Sequence, residues 1–267
     1  MDVGNLGNQV CKICDVTSKV IFKALILNKY EIEYYQCPNC GFVQTENPYW
    51  LEEAYKNPMN YTDTGIMLRN QRFSKVTTSL IILFFDKKKK FLDYAGGYGV
   101  FTRIMRDIGF NFFWSDPYTI NALSRGFEQE KSTVYHVTTT FESFEHFLDP
   151  ISEVQKILDI SENIIFSTEL VPEPLPKINE WWYYGAEHGQ HIALHTKKSL
   201  QIIAKKFGLH YYNISNLHMF SRKKLGVFGS AFLKLKYSKH VLYLLYFVLS
   251  LRMKSRTMDD LNNLKRQ

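Results

Sequence analysis

The stretch from Phe91 to Asp116, FLDYAGGYGVFTRIMRDIGFNFFWSD, decides the fold of this chain of 267 residues. Its apolar start, Phe91 to Tyr94, predicts a strand, and Val100 to Ile108 predicts a helix. Asn111 to Ser115 predicts a second strand that ends at Asp116. A glycine-rich loop between a strand and a helix is typical of α/β sheets, so the sequence predicts a β-loop-α-β unit.

The order of the glycines distinguishes two classes of cofactor. A dinucleotide-binding loop has a third small residue three positions after its second glycine, whereas Gly97-x-Gly99 is followed there by Thr102. The spacing Asp93-x-Ala95-x-Gly97-x-Gly99 instead resembles the first motif of class I methyltransferases that use S-adenosylmethionine (SAM). Ala95 departs from that motif, because the family usually has glycine at this position.

This resemblance implies a SAM site. In this family the loop backbone passes close to the methionine part of SAM, and the acid of the first strand helps to bind its amino group. An acid at the tip of the second strand binds the ribose hydroxyls, and a carboxylate suits a diol because it accepts two hydrogen bonds. The predicted cofactor-binding residues are Asp93, Ala95, Gly97, Tyr98, Gly99, Asp116, Pro117 and Thr140.

All four cysteines of the chain fall in two Cys-x-x-Cys pairs, Cys11 with Cys14 and Cys37 with Cys40. Four thiolates on two tight turns can surround Zn²⁺ tetrahedrally, and the residues between the pairs predict a hairpin. We expect a structural zinc ribbon, because such a site leaves no open position for a substrate. A disulfide fits a cytosolic chain less well. Residues 1–60 carry five Lys and seven Asp+Glu, a balance that does not attract nucleic acid.

A second set of metal-ligand types follows the predicted strand Val137–Thr140. On a helix, Glu142, Glu145 and His146 would stand at i, i+3 and i+4 and reach one side. This spacing is similar to that of SAM methyltransferases that bind Mg²⁺ or another divalent ion to hold the accepting hydroxyl, and His191 is the predicted fourth ligand. Solvated glutamates and histidines with ordinary hydrogen bonds are the alternative.

The segment that runs from Trp181 to His191 is the predicted acceptor side of the site. It contains two glycines and follows an apolar run at residues 164–167, so its side chains are expected to line a cleft. His188 or His191 is the candidate general base, and Glu145 is the third predicted catalytic residue. The predicted substrate contacts are Trp182, Tyr184, Glu187 and Gln190.

The ordered motifs together resemble a family of bacterial class I methyltransferases with an N-terminal zinc ribbon, related to sugar methyltransferases. The resemblance covers about residues 8 to 225 and implies O-methylation of a small polar or sugar-linked acceptor in surface polysaccharide or capsule biosynthesis. Three alternatives stay open: a metal-dependent RNA 2′-O-methyltransferase, a sugar C-methyltransferase, and a zinc-ribbon interaction protein without activity. Residues 1–220 carry 22 Lys+Arg and 24 Asp+Glu, a net charge of −2, which argues against nucleic acid as a partner.

We predict an α/β chain in three parts: a zinc ribbon and linker (1–60), a Rossmann-like catalytic domain (61–228) and a basic amphipathic helical tail (229–267). Residues 221–267 carry 11 Lys+Arg and 2 Asp+Glu, a net charge of +9. The tail either packs on the catalytic domain or a second subunit, which we favour, or touches an anionic membrane. The sequence shows no signal-peptide pattern, and its longest apolar run has 11 residues, too few to span a bilayer. We expect a cytoplasmic protein, at most peripheral to the inner face of the membrane, and leave its oligomeric state open.

Overall fold

The structure is a computed structural model that describes residues 9–56 and 63–266. Its N-terminal part is an antiparallel sheet of four strands around the cysteine turns: β1 (Gln9–Val10), β2 (Thr17–Ile26), β3 (Tyr30–Gln36) and β4 (Val43–Thr45). β2 and β3 form the predicted hairpin. Leu27 and Asn28 at its tip have positive φ angles, which matches the twist of a two-residue hairpin turn.

The predicted β-loop-α-β unit is confirmed. After the short helix α1 (Leu51–Ala54) and the long helix α2 (Ile66–Phe84), the chain forms β5 (Lys90–Tyr94), α3 (Val100–Ile108) and β6 (Asn111–Ser115). β5 and β6 are parallel, with Asp93 opposite Trp114. α3 packs on the sheet through Phe101 and Met105, which are both buried.

The chain then builds the rest of a six-stranded sheet. The further elements are β7 (Val137–Thr140), α4 (Pro150–Ile160), β8 (Asn163–Ser167), β9 (Ala193–Leu194), α5 (Lys197–Lys206), β10 (His210–Ile214) and β11 (Leu217–Ser221). The strand order is β10-β11-β8-β7-β5-β6, with β8, β7, β5 and β6 parallel and β11 antiparallel to β8. β7 and β8 are buried along their whole length, as parallel strands covered on both faces are. The predicted α/β Rossmann-like fold is confirmed.

The ribbon is fastened to the large sheet. β9, from the span predicted for the catalytic domain, pairs with β4 and becomes the fifth strand of the ribbon sheet. The indole Nε1 of Trp50 donates a hydrogen bond to the carbonyl of Gly189 at 2.8 Å. Buried side chains of both sheets belong to one hydrophobic cluster that reaches from Cys11 to Phe220. The two sheets therefore bury apolar surface against each other and stabilise one another.

The C-terminal region is helical, as predicted, and packs on the catalytic domain. It comprises α6 (Val227–Leu233), α7 (Ser238–Leu249) and α8 (Thr257–Leu264). α7 lies against α2, where the hydroxyl of Ser79 donates to the carbonyl of Leu242 at 2.7 Å. α8 is held by a buried ion pair between Asp260 and Arg106 at 2.6 Å. Within the described ranges, no helix has the length and apolar character needed to cross a membrane.

Candidate functional site

The glycine loop lies at the carboxyl end of β5 and is held by backbone hydrogen bonds. The N–H of Gly97 donates to the Asp116 carboxylate at 2.9 Å, and its carbonyl accepts from Trp114 Nε1 and Thr119 Oγ1, both at 2.8 Å. Gly97 has a φ of 54°, and a Cβ added to it would meet no atom of residues 9–56 or 63–266 within 4 Å. The loop backbone therefore faces open space, which fits the close approach of a ligand.

Ala95 and Gly96, the two residues before Gly97, differ in backbone conformation and in the space around them. Ala95 occupies the position where the resembled family has glycine, and it adopts a φ of 55° that L-residues other than glycine rarely take. A Cβ on Gly96 would lie 2.7 Å from Asp93 Oδ2 and 2.9 Å from the Trp114 ring. The loop is thus packed tightly against β5 and β6 at Gly96 and faces open space at Gly97.

Asp93 lies beneath the loop rather than in it. Its carboxylate is buried and accepts hydrogen bonds at 3.1 Å from the hydroxyls of Thr102 and Thr139. Burial raises the pKa of Asp93 to about 7, because the charged form loses its hydration. In this structure Asp93 fixes α3 and β7 against the loop, and its predicted contact with the cofactor stays a prediction.

Asp116 is placed at the tip of β6, as predicted. One of its oxygens holds Gly97, and the other accepts from the backbone N–H groups of Tyr118 at 2.8 Å and Thr119 at 2.9 Å. Of the other predicted cofactor contacts, Tyr98 is partly exposed, Pro117 is exposed, and Thr140 is buried with its hydroxyl 2.6 Å from that of Ser143. The Thr140 hydroxyl thus contacts Ser143, and its predicted contact with the cofactor stays a prediction.

The four cysteines come together as the sequence predicts. Their sulfur atoms lie within 4.8 Å of one another, with 3.6 Å between Cys11 and Cys40 and 3.4 Å between Cys14 and Cys37. Sulfurs around a tetrahedral zinc with Zn–S bonds of about 2.3 Å stand roughly 3.8 Å apart, so the donor set fits Zn²⁺. Backbone N–H groups of Ile13 and Cys40 point at cysteine sulfurs, which favours the thiolate form.

Glu145, His146 and His191 form a second cluster, which we call the histidine cluster. One ligand atom of each lies within 4.8 Å of the others. Glu145 is 0% exposed, and neither carboxylate oxygen has a hydrogen-bond partner among the described residues. Such a buried, unpaired carboxylate is costly unless it is protonated or meets a cation. Burial accordingly raises the pKa of Glu145 to about 8.

Both histidines of the cluster are neutral and are oriented by groups behind them. His191 Nδ1 lies 2.6 Å from the carbonyl oxygen of Tyr183, so it carries the proton and leaves Nε2 with a lone pair. His146 Nδ1 lies 2.9 Å from the hydroxyl of Tyr55. Burial lowers the pKa of His146 to about 3 and that of His191 well below its ordinary value. Ring nitrogens supported in this way are typical of metal ligands and of oriented bases.

The predicted helix over Glu142 to His146 is wrong. Glu142 has a φ of 52°, and only Phe144–His146 forms a single 3₁₀ turn. The side chain of Glu142 instead accepts a hydrogen bond from Ser167 Oγ at 2.6 Å and lies 3.7 Å from Arg69. Glu142 is therefore not part of the histidine cluster. The N–H of Glu142 also donates to Ser167 Oγ at 2.7 Å, so bonds to the neighbouring strand β8 take the place of helical bonds and the predicted i, i+3, i+4 pattern does not form.

The acceptor-side predictions divide into buried and exposed residues. Tyr184 is 1% exposed and packs on Phe22 and Tyr34 of the ribbon, and Gln190 is buried with its Nε2 donating to the carbonyl of Ala54 at 2.8 Å. In this structure both side chains connect the ribbon to the catalytic domain, and their predicted contacts with the substrate stay predictions. Trp182, at 74% exposure, and Glu187 remain open to a ligand.

His188 stands beside the cluster without joining it. Its Nδ1 accepts the backbone N–H of Gln190 at 3.2 Å, and its ring centroid is 4.7 Å from that of His191. Gly185 is required here, because a Cβ would come within 2.4 Å of the His188 ring. With Nδ1 used as an acceptor, His188 carries its proton on Nε2 when neutral, so His191 is the better placed base.

Two residues of the site, Tyr118 and Glu169, were not predicted from the sequence. Tyr118 connects the glycine loop to the histidine cluster through Tyr55. Tyr118, two positions after Asp116, stacks its ring on Tyr55 with centroids 5.8 Å apart, and the Tyr55 hydroxyl reaches His146. Glu169 follows β8 and accepts from Asn216 at 3.0 Å. An acid directly after a buried strand was a usable signal for Glu169, whereas no local pattern marks the contact between Tyr55 and His146.

Comparisons with known proteins identify the family of this chain. The family model described as "Methyltransferase domain" matches residues 68–214. Solved structures similar to this chain include magnesium protoporphyrin IX methyltransferase from Synechocystis PCC 6803 with bound SAM, at 11% identity over 65% of this chain and 89% of that chain, with a TM-score of 0.43. Another is the plantazolicin methyltransferase BpumL with a substrate analogue and S-adenosylhomocysteine (SAH), at 16% identity over 77% and 88%, with a TM-score of 0.48. No curated protein matches the sequence.

Proposed function

The chain belongs to the methyltransferase domain family of SAM-dependent enzymes, and on that premise we propose that it methylates an oxygen of a sugar, a nucleotide sugar or a related polar acceptor. The observation that supports this proposal is a row of contacts between the glycine loop and the histidine cluster. Asp116, Tyr118, Tyr55 and His146 connect the open side of the glycine loop to the histidine cluster. A methyl donor on the loop and an acceptor at the cluster would therefore meet at one edge of the sheet.

The donor half of the site is already rigid. SAM, when bound, supplies a methyl group on a positively charged sulfur, which an acceptor oxygen can attack. Gly97 and its neighbours would hold the donor through backbone groups, and Asp116 would offer a carboxylate to a diol. Because the loop is fixed by Trp114 and Thr119 beforehand, little ordering accompanies binding.

The acceptor half must take up one proton when a hydroxyl becomes an ether. His191 is arranged for this task, because its Nδ1–H donates to Tyr183 and its Nε2 lone pair faces the cluster. Because burial lowers the pKa of His191, it takes up the hydroxyl proton only as the new bond between oxygen and methyl carbon forms and the hydroxyl becomes acidic. Its main contribution is orientation of the hydroxyl.

A divalent metal ion in the same cluster is the alternative to this base, because an ion bound to Nε2 of His191 would occupy its lone pair. Among the described residues the carboxylate of Glu145 has no hydrogen-bond partner, and His146 and His191 each have one nitrogen oriented from behind by Tyr55 and Tyr183. An ion bound there would polarise the acceptor oxygen and lower its pKa. One carboxylate with two imidazoles suits Zn²⁺ or Fe²⁺ better than Mg²⁺, which prefers oxygen ligands.

The sugar-type acceptor is proposed from the family resemblance and from the exposed groups beside the cluster. Trp182 offers an aromatic face and Glu187 a hydrogen-bond acceptor, which suit a ring that carries hydroxyls. We place the reaction in the cytoplasm, in the synthesis of a surface polysaccharide. The net charge of −2 over residues 1–220 favours this acceptor over RNA.

The test is a methyl-transfer assay with radiolabelled SAM, the purified full chain, a panel of nucleotide sugars and a structured RNA. We expect label in a nucleotide sugar, and we expect Glu145→Gln to abolish it while Glu162→Gln, which alters a surface Glu-His pair, does not. Label in RNA would support the RNA alternative, and a C-methylated product would support the sugar C-methyltransferase. A folded protein that does not bind SAM would support the interaction protein.

A further inference from the structure

Helix α7 has two apolar faces, and the part of the chain that the structure describes covers one of them. Leu242 and its neighbours pack on α2, where Leu242 is 0% exposed. A second row, made of Tyr237, Val241, Leu244, Val248 and Leu251, recurs at intervals of three and four residues and therefore forms one stripe along the helix. Leu244, Val248 and Leu251 are 64%, 65% and 81% exposed. We call these five residues the apolar stripe.

The surroundings of the apolar stripe are strongly basic. Residues 222–258 contain nine Lys+Arg and not one Asp or Glu: Arg222, Lys223, Lys224, Lys234, Lys236, Lys239, Arg252, Lys254 and Arg256. The lysines and arginines flank both ends of the stripe, and its central part, Val241 to Leu251, carries no charge. An exposed apolar face between cationic residues marks an interaction site rather than ordinary surface.

We propose that the apolar stripe and its basic flanks bind the surface of an anionic lipid membrane, with α7 lying in the plane of the headgroups. The basic residues at both ends of the apolar stripe favour an anionic membrane as the partner. Leu244, Val248 and Leu251 would enter the acyl boundary, while the lysines and arginines contact lipid phosphates. A second copy of the chain would bring two faces of the same positive charge together, which opposes self-association.

The position of the stripe connects it to the candidate site. Lys239, in the first turn of α7, donates to the side chain of Asn216, which in turn donates to Glu169 at the carboxyl edge of the large sheet. The N-terminal end of the stripe therefore lies near the edge where the histidine cluster and the glycine loop open. This placement suits an acceptor that is carried at a membrane surface, and this last step rests on the proposed function.

The test is flotation of the full chain with vesicles of phosphatidylcholine alone and with about one third phosphatidylglycerol. We expect binding only to the anionic vesicles, with release as salt rises from about 0.1 M to 1 M. Val248→Glu should lower the bound fraction at least about fivefold, since it places a charge on the inserted face. Val134→Glu is the matched control, because Val134 is 64% exposed and lies far from the tail in sequence.

The outcomes separate this proposal from the proposed function. Circular dichroism checks that both variants are folded, and SAH binding by both should equal that of the original chain. Failure to float with anionic vesicles, or equal loss in Val248→Glu and Val134→Glu, overturns the membrane proposal and leaves methyl transfer intact. A dimer in sedimentation velocity that Val248→Glu dissociates, without vesicle binding, would overturn it in favour of a contact between two copies.

Discussion

The cysteine cluster of the ribbon and the carboxyl edge of the large sheet are both built from potential metal ligands, yet they are assembled differently. Each cysteine pair is a local turn, and the hairpin β2–β3 brings the two turns together. Glu145 and His191 are 46 positions apart and meet only because β9 packs against the 3₁₀ turn at Phe144–His146. A site made of local turns can therefore be predicted from the spacing of its residues in the sequence. A site made by packing of distant segments can be recognised only once the fold is known.

The largest expected effect is on the local site. Cys11→Ser should remove one zinc equivalent and unfold the ribbon, because structural zinc contributes about 10 kcal/mol or more to the folding of small modules. Metal analysis of the purified protein and thermal unfolding measure both changes. Cys11→His is the control, since three thiolates and one imidazole still form a zinc site. If the original chain contains no zinc and Cys11→Ser keeps its stability, the cluster is not a metal site.

The next effect concerns Glu145. Glu145→Gln should lower the rate of methyl transfer at least about 100-fold, because an amide is a far weaker ligand than a carboxylate for an ion at the histidine cluster. Its stability should not fall, because the substitution removes a buried carboxylate that has no hydrogen-bond partner among the described residues. Turnover assays together with thermal unfolding separate the two effects. A large loss of stability with unchanged turnover would mean that Glu145 is structural, like the cysteines.

Sequence and structure agree best where the signal is local. The loop from Asp93 to Gly99 and the ribbon hairpin were predictable from spacing alone, and the structure has them at the predicted residues. Glu142 was not, because its left-handed backbone is imposed by Ser167 from a neighbouring strand. The contacts of Tyr184 with Phe22 and of Gln190 with Ala54 were not predictable for a similar reason, since they join segments that are far apart in the sequence.

The buried carboxyl of Asp93 predicts a pH response at the sheet edge. Its folded pKa of about 7 lies above the ordinary value of 3.8, so its contribution to stability is full below about pH 4 and is lost as pH rises through 7. Asp93→Asn should therefore gain on the order of 3 kcal/mol relative to the original chain between pH 4 and 8. Urea unfolding at a series of pH values measures this. A constant difference across that range would contradict the raised pKa.

The smallest expected effect concerns the support of His146. Tyr55→Phe removes the hydroxyl that contacts Nδ1 of this histidine, and loss of such a supporting hydrogen bond lowers activity about 10- to 100-fold. Tyr30→Phe is the matched control, because its hydroxyl donates to Glu53 at 2.6 Å on the ribbon. We expect a lower kcat for the first variant and unchanged kinetics for the second. Equal kinetics in both variants would mean that Tyr55 has no role in the site.

The central claim is that the open side of the glycine loop binds the methyl donor. Calorimetric titration of the full chain with SAH tests it most directly, without knowledge of the acceptor. We predict saturable binding at one site per chain, with a Kd between about 1 μM and 1 mM, and its loss in Gly97→Val, which fills the open space beside the loop. Absence of binding by a folded original chain, or equal binding by Gly97→Val, would contradict the claim.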